Sequence, residues 1–351
     1  MDKHTKKPLV IAVTGLNAID SPGPGVAVIR ALREGLDREL RIIGFSYESL
    51  EPGIYMHDIV DKTYQIPYPS AGIKALFERL NYIHAEEGME IIIPNFDAEL
   101  YNFIRLSDRL AEIGIRTFLP NIEQLEARDK INLLKFGKKH KFHVPEDKVI
   151  NKAEELNKLA EDFGYPLVVK GKYYEAIIAY TIEQAHKAFY KLSAKWGHPI
   201  IVQQFINGTE INIAALGDGE GNAISIIPMR KLYITDKGKA WAGITLEDQE
   251  LIDLANHFVK ATKWKGGFEL EIMKDAKGHL YIMEVNPRFP AWIYLTAGAG
   301  QNQPATLVKM ALGEKVAPFT KYEVGKIFIR YSWDHITDVK EFQHLSAYGE
   351  L

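Results

Sequence analysis

Three polar residues stand at alternate positions in the stretch YIMEVNPRFPAW, Tyr281 to Trp292: Glu284, Asn286 and Arg288. A strand repeats every two residues, so a carboxylate, an amide and a guanidinium spaced this way point to one face while the strand lasts. Buried charges are costly unless paired or bound to a metal, so something on that face must compensate them. The preceding residues, GGFELEIMKDAKGHLYIMEVN, read as a hairpin with DAKG at its turn. Phe268, Leu270 and Ile272 share one face of its first strand, and Glu269, Glu271 and Met273 share the other. With the apolar rows toward a core, Glu271, Glu284 and Asn286 fall on the same side of neighbouring strands. Facing carboxylates repel by up to about 1 kcal/mol across a strand pair, and a hard cation removes that repulsion. Two carboxylates and one amide oxygen suit Mg²⁺, which is held by a few carboxylates together with substrate phosphates. Glu269 is expected instead on a solvated sheet face.

The chain that must position these groups has 351 residues, enough for two or three packed units. Its 46% hydrophobic and 25% charged residues are the balance of a globular protein, and a net charge of -3 disfavours a general nucleic-acid footprint. No apolar run approaches the roughly 18 residues of a membrane span. Lysines precede the apolar run LVIAV near the start, but that run is short for a signal peptide and no cleavage-like site follows. It reads as a first buried strand, and cytoplasm is the expected compartment. The absence of cysteine excludes disulfides, thiolate metal sites and a cysteine nucleophile. The histidines show no HxxxH or HExxH spacing, so none is read as a zinc ligand.

From Leu9 to about Leu125, short apolar strands (LVIAV, RIIGFSY, EIIIPN) alternate with helical segments (VAVIRALREGL, IKALFERLNYIHAEEG, AELYNFIRLSDRLAEIG). This is the rhythm of a doubly wound parallel sheet. The loop after the first strand sits where dinucleotide folds hold phosphate. Its SPGPG is not GxGxxG, and two prolines remove amides, so a sharp turn is expected there. A basic helix, EQLEARDKINLLKFGKKH, and an exposed connector, FHVPED, lead into a small α+β unit. That unit holds a helix near Lys152–Phe163, the strands YPLVVKG and AIIAY, and the helix TIEQAHKAFYKLSAKWG. A mostly antiparallel sheet is expected from Pro199, with a helix near Gln249–Thr262. The expected division is 1–122, 123–200 and 201–351.

These segments together resemble the ATP-grasp superfamily, in the branch of carbamoyl phosphate synthetase large chains and biotin carboxylase. EVNPR is similar to that family's E-x-N-P-R metal motif. IIIPNFDAE, EARDKINLLKFGKKHKFHVPE, YPLVVKG, VQQFINGTE and TAGAGQNQPATLVKMALGE resemble further family segments, in the family's order, from Leu9 to about Gly313. The resemblance implies an α/β chain in which a pre-ATP-grasp parallel-sheet domain precedes a two-lobed α+β ATP-grasp fold. It implies ATP with Mg²⁺ or Mn²⁺ as cofactors. Lys130 and Lys170 would contact the phosphates from two sides; Lys170 ends an apolar run, where a lysine needs a partner. Gln204, Phe205 and Ile206 would form the adenine hinge, Glu210 would bind the ribose, and Glu271, Glu284 and Asn286 the metal. Arg288 would face the acceptor carboxylate or the acyl-phosphate, where its planar fork can bind two oxygens. Arg230, Lys231 and Lys239, beside Trp241, and Arg330 in KIFIRYSW are candidates for an anionic substrate.

Two features depart from the family pattern. Gln204 stands where relatives carry a hinge glutamate. The phosphate-covering loop, glycine-rich in many relatives, is the short KGKYYEAI, so that Lys172, Tyr173 or Tyr174 would act as a lid, or else the segment is a plain tight turn. The implied reaction activates a carboxylate with ATP as an acyl-phosphate and captures it with an amine. The substrates would be small molecules or peptides, with no nucleic acid or membrane partner and a homodimer as an allowed assembly. Two rivals remain: an ATP-dependent carboxylase or carbamoyl-phosphate-type enzyme using bicarbonate, and a nucleotide-binding protein without turnover. A nicotinamide oxidoreductase lacks its glycine fingerprint here.

Overall fold

The computed structural model describes residues 7–19, 22–129, 131–171 and 175–351. Lys130, Lys172, Tyr173 and Tyr174 lie outside them. The chain forms two compact units: residues 1–125, 212–269 and 286–351 make the first, and 126–211 with 270–285 the second.

The first unit opens with β1 (Leu9–Val13), α1 (Pro24–Gly35), β2 (Leu40–Ser46), β3 (Lys62–Gln65), α2 (Gly72–Glu87), β4 (Ile91–Ile93) and α3 (Asp97–Glu112). The strands form a parallel sheet in the order β3-β2-β1-β4. Alternate residues serve opposite faces. Leu9, Ile11 and Val13 enter one core with α1, while Val10 and Ala12 enter another with Leu80 and Phe103 of α2 and α3. Burial on both faces explains the unbroken apolar runs of β1 and β4. Strand β3, KTYQ, was not among the expected strands. The turn after β1 consumes its own amides: Gly25 N–H donates to the Gly15 carbonyl at 2.9 Å and Gly23 N–H to that of Asn17 at 2.7 Å. A side chain at Gly25 would meet the Thr14 carbonyl, so glycine lets α1 start against the end of β1. The sharp-turn expectation fits this geometry.

The expected basic helix is divided into α4 (Ile122–Ala127) and α5 (Leu133–His140). The second unit continues with β5 (Asp147–Ile150), α6 (Glu155–Phe163), β6 (Leu167–Lys170), β7 (Ala176–Ala179), α7 (Ile182–Trp196) and β8 (Ile200–Gln204). Its antiparallel sheet runs β5-β8-β6-β7, over a core of Leu156, Leu167, Val169, Phe189 and Val202. Thr181 caps α7 by accepting from Gln184 N–H. β5 corrects the expected connector: the segment after FHVP pairs with β8.

The remaining elements are β9 (Gly208–Asp218), β10 (Ala223–Ile234), β11 (Ala240–Thr245), α8 (Gln249–Thr262), β12 (Lys265–Asp275), β13 (Leu280–Asn286), α9 (Tyr294–Gly298), α10 (Gln303–Ala311), β14 (Ile327–Ile329) and α11 (Val339–Tyr348). Six of these strands make one sheet, β13-β12-β9-β10-β11-β14. The division between units falls within β9, β12 and β13, each of which runs on unbroken. In the first unit, the end of the chain closes against β3: Thr63 and Leu351 exchange two backbone hydrogen bonds of 2.7 and 2.9 Å, and Leu345 is fully buried. No helix of the described residues is long and apolar enough to cross a membrane.

Candidate functional site

Within the first unit, the polar residues of the strand ends converge on Glu269 of β12. Glu269 is 5% exposed, which corrects the expected solvated face. Its Oε1 accepts from Asn212 Nδ2 at 2.8 Å and from Trp292 Nε1 at 2.7 Å. Its Oε2 accepts from Asn286 Nδ2 at 3.0 Å and lies 3.8 Å from Arg288 NH1. In the first strand of the hairpin the expected apolar row, Phe268, Leu270 and Ile272, is fully buried; in the return strand Ile282 is fully buried while Tyr281 and Met283 are half-buried. Periodicity says which residues share a face, not what covers it, and the covering groups Asn212 and Trp292 come from distant positions.

Arg288 follows Pro287 at the end of β13. Its Nε donates to Asp97 Oδ2 at 3.0 Å and its NH1 to the Phe289 carbonyl at 3.3 Å. Asp97 opens α3, where the helix N-terminus also favours a carboxylate. The segment IIIPNFDAE carries part of the family resemblance, but nothing in its sequence assigns a role to Asp97.

The same segment supplies Glu99, fully buried near the C-terminal ends of β1 and β2. Thr14 Oγ1 donates to it at 2.5 Å, Asn95 N–H at 2.8 Å and Phe96 N–H at 3.0 Å, and Tyr47 OH donates through a short bond. Burial raises its pKa against the lowering effect of these donors. Burial likewise raises the Tyr47 hydroxyl, which also faces the Glu99 charge. Glu51 is pushed up to about 7, again by burial, while Tyr47 and Glu48 N–H groups hold its Oε1. None of these residues was singled out in the sequence.

In the second unit, Lys170 ends β6 and Gln204 ends β8, with Leu167 paired to Gln204 and Lys170 to Ile201. Gln204, Phe205 and Ile206 lead into β9, which carries Glu210 near its start, and Gln204 N–H donates to the Glu146 carbonyl at 2.9 Å. Asp147 on β5 is opposite the buried Gln203. Burial raises Asp147 to about 6, against the attraction of Lys170 and, more weakly, of Lys138 and Lys148. Asp147 is thus an electrostatic neighbour of Lys170, whose need for a partner was foreseen without naming one. Glu271 and Glu284 are half-buried on β12 and β13.

Among the described residues, no three His, Asp or Glu side chains form a ready metal cluster. The expected ligand set contains only two carboxylates, so its third oxygen must come from Asn286. The amide fits by its chemistry: its Nδ2 donates to Glu269, and of its two ends only Oδ1 is of a kind that binds a hard cation.

The anionic-substrate candidates separate. Arg230 and Lys239 are exposed on the β10–β11 hairpin, and the Lys231 ammonium donates to the Gly238 carbonyl at 3.0 Å. Arg330 is different. Its NH1 donates to the Pro22 carbonyl at 3.3 Å, its Nε is buried without a hydrogen-bond partner, and burial lowers its pKa to about 10. Among the described residues no carboxylate pairs with it.

Residues 197–329 match the family described as ATP-grasp in the biosynthetic pathway with Ter operon. Solved structures of the same fold include a biotin carboxylase from Campylobacter jejuni, with a β,γ-ATP complex, at TM-score 0.71 and 16% identity over 92% of this chain and 74% of that one. N5-carboxyaminoimidazole synthetase from Staphylococcus aureus matches at TM-score 0.67 and 14% identity, over 93% and 83% of the two chains. Phosphoribosylglycinamide synthetase from Anaerococcus prevotii matches at 0.64 and 15%, over 92% and 80%. The ATP-grasp resemblance and the expected α/β architecture are therefore shown by the fold.

Proposed function

We propose, for a chain that carries the ATP-grasp fold, an ADP-forming carbon–nitrogen ligase. A substrate carboxylate oxygen attacks the γ-phosphorus of ATP, and the bond to the β–γ bridging oxygen breaks to release ADP. The acyl-phosphate is then attacked at its carbonyl carbon by an amine, which loses a proton as phosphate leaves. Such phosphoryl transfer depends mainly on positioning and charge stabilisation. Lys170, with Lys130, would bind the triphosphate; Gln204 to Ile206 would line the base, and Glu210 would accept from the ribose hydroxyls. Glu271, Glu284 and Asn286 would hold Mg²⁺ or Mn²⁺, which supplies charge neutralisation on the phosphates. The parts of the chain serving these roles would be 1–122, 123–200 and 201–351, working in the cytoplasm.

The observation that carries the reading is the succession Glu284–Asn286–Arg288, with Arg288 held by Asp97 at 3.0 Å. That ion pair sets the guanidinium plane, so the fork meets an incoming carboxylate with little reorganisation. Arg330, half-buried and with no carboxylate partner among the described residues, supports an anionic acceptor. The same arginine supports the second reading, in which bicarbonate is the carboxylate that is phosphorylated.

The test is ADP release from Mg²⁺-ATP over a panel of amino acids and short peptides, with and without amines, beside bicarbonate. ADP formation that needs both an acid and an amine is expected. ADP formation with bicarbonate alone would favour the second reading. Nucleotide binding with no ADP from any pair would leave a binding protein and overturn the ligase.

A further inference from the structure

Asn286 differs from the two glutamates of the expected metal set in having chemically unlike ends. Its Oδ1 can bind a cation and its Nδ2 cannot. The way the amide faces therefore decides whether it is a ligand at all, and Asn286 by itself has no preference.

Glu269 supplies one. Asn212 Nδ2, Trp292 Nε1 and Asn286 Nδ2 all donate to it at 2.7–3.0 Å, and the Arg288 guanidinium lies 3.8 Å away. Each of these neighbours is a donor, as a carboxylate requires. Turning the Asn286 amide over would set Oδ1 against Glu269 Oε2, acceptor against acceptor, in a place where both residues are 5% exposed. Water cannot readily relieve such a clash, and an unmade buried hydrogen bond to a charged group is expensive.

We propose that Glu269 is a positioning residue of the metal site: it holds the Asn286 amide nitrogen inward, so that the carbonyl oxygen is the end offered to the cation. The inference rests on the reading of Asn286 as a metal ligand. Glu269 itself touches neither cation nor nucleotide. It fixes a ligand's orientation as a carboxylate fixes a metal-bound imidazole, and loss of such an outer partner typically lowers metal affinity about 10- to 100-fold. The nearby Arg288 guanidinium makes the same carboxylate a shared reference for the two polar residues that follow Glu284.

The experiment is Mn²⁺ titration of the full chain with a non-hydrolysable ATP analogue, read by electron paramagnetic resonance. Glu269→Gln is expected to weaken Mn²⁺ about 10- to 100-fold, while metal-free analogue binding changes less than about threefold. The double variant Glu269→Gln with Asn286→Asp inverts the hydrogen bond: the new amide donates, the new carboxylate accepts, and either oxygen of that carboxylate can bind a cation. It should return Mn²⁺ affinity to within a few-fold of the parent. Glu269→Asp, which keeps the charge but withdraws it from Asn286, should lose affinity as Glu269→Gln does, and replaces it if that variant does not fold. Unchanged affinity in the single variants, or a double variant no tighter than Glu269→Gln, overturns the inference. Asn286→Ala separates the two levels. If it leaves Mn²⁺ binding intact, the metal reading falls and takes the inference with it. If it weakens Mn²⁺ while the Glu269 variants do not, only the inference falls.

Discussion

Arg288 shows how much a single side chain depends on partners that its own motif does not contain. Its Nε is bonded to Asp97, and a lysine has one ammonium for the work of the whole planar fork. Arg288→Lys should therefore keep ATP affinity within a few-fold and lose roughly 100-fold in ligation rate, the scale of one oriented transition-state donor. Calorimetry with nucleotide, beside hydroxylamine trapping of the acyl-phosphate, checks both parts. Loss of ATP binding with normal trapping would place Arg288 on the nucleotide instead. Glu51 gives a prediction about pH. Burial raises its folded pKa to about 7, above the unfolded value of 4.5. The folded state then holds the extra proton, so a raised carboxyl penalises folding as pH climbs from about 4.5 through 7. Glu51→Gln keeps an oxygen for the Tyr47 and Glu48 amides and removes that penalty. It should match the parent near pH 5 and exceed it at pH 8 by on the order of 1–3 kcal/mol, measured by urea unfolding at both values. An equal difference at the two values would show that Glu51 does not titrate there. Residue types and spacing in the sequence single out Glu284, Asn286, Arg288 and Lys170 as candidates. They do not point to the carboxylates beside them, Glu269, Asp97 and Asp147, because such a carboxylate is recognised by the donors and cations that reach it from other segments.

At the scale of elements, the long apolar runs were legible and the short mixed strands were not. β1 is an unbroken apolar run and α1, α2, α3 and α8 carry a period near 3.6, and all five lie close to where the sequence places them. β3 reads KTYQ and β5 reads DKVI; such short stretches have too few apolar residues to show a period, and only their pairing neighbours make them strands. β3 also shows how a sheet edge is managed. Its outer side is met by the backbone of Gly349 and Leu351, and Arg79 fixes the Gly349 carbonyl at 2.7 Å. An edge left open would be a template for another chain. The anchor of this cover is Leu345 of α11, fully buried in the core of the first unit. Leu345→Ala should cost about 2–4 kcal/mol, the usual range for a buried leucine, and should loosen the cover before the rest of the unit. Hydrogen exchange at Thr63 and Gln65, faster by more than the change at Ile11, is the signature to look for. Uniform acceleration at all three would mean that α11 unfolds only with the whole unit.

For the whole molecule, ligand binding and stability are one quantity. A nucleotide that binds only the folded chain adds about 2.7 kcal/mol at one hundred times its dissociation constant. The thermal midpoint should rise with a Mg²⁺-bound ATP analogue, and Lys170→Ala should remove most of that rise at the same ligand concentration. A variant that keeps the full rise would show that Lys170 does not hold the phosphates. The path of the chain has a consequence of another kind. The polypeptide passes between the two units at 125/126, 211/212, 269/270 and 285/286. During synthesis, the second unit waits for residues 270–285 and the first for its segment from 286 onward. A ribosome adding about 5–20 residues per second would need several seconds or more between the emergence of β6 and that of β13. For that interval neither unit has all of its segments, so neither can close its core until the chain beyond residue 269 has been made.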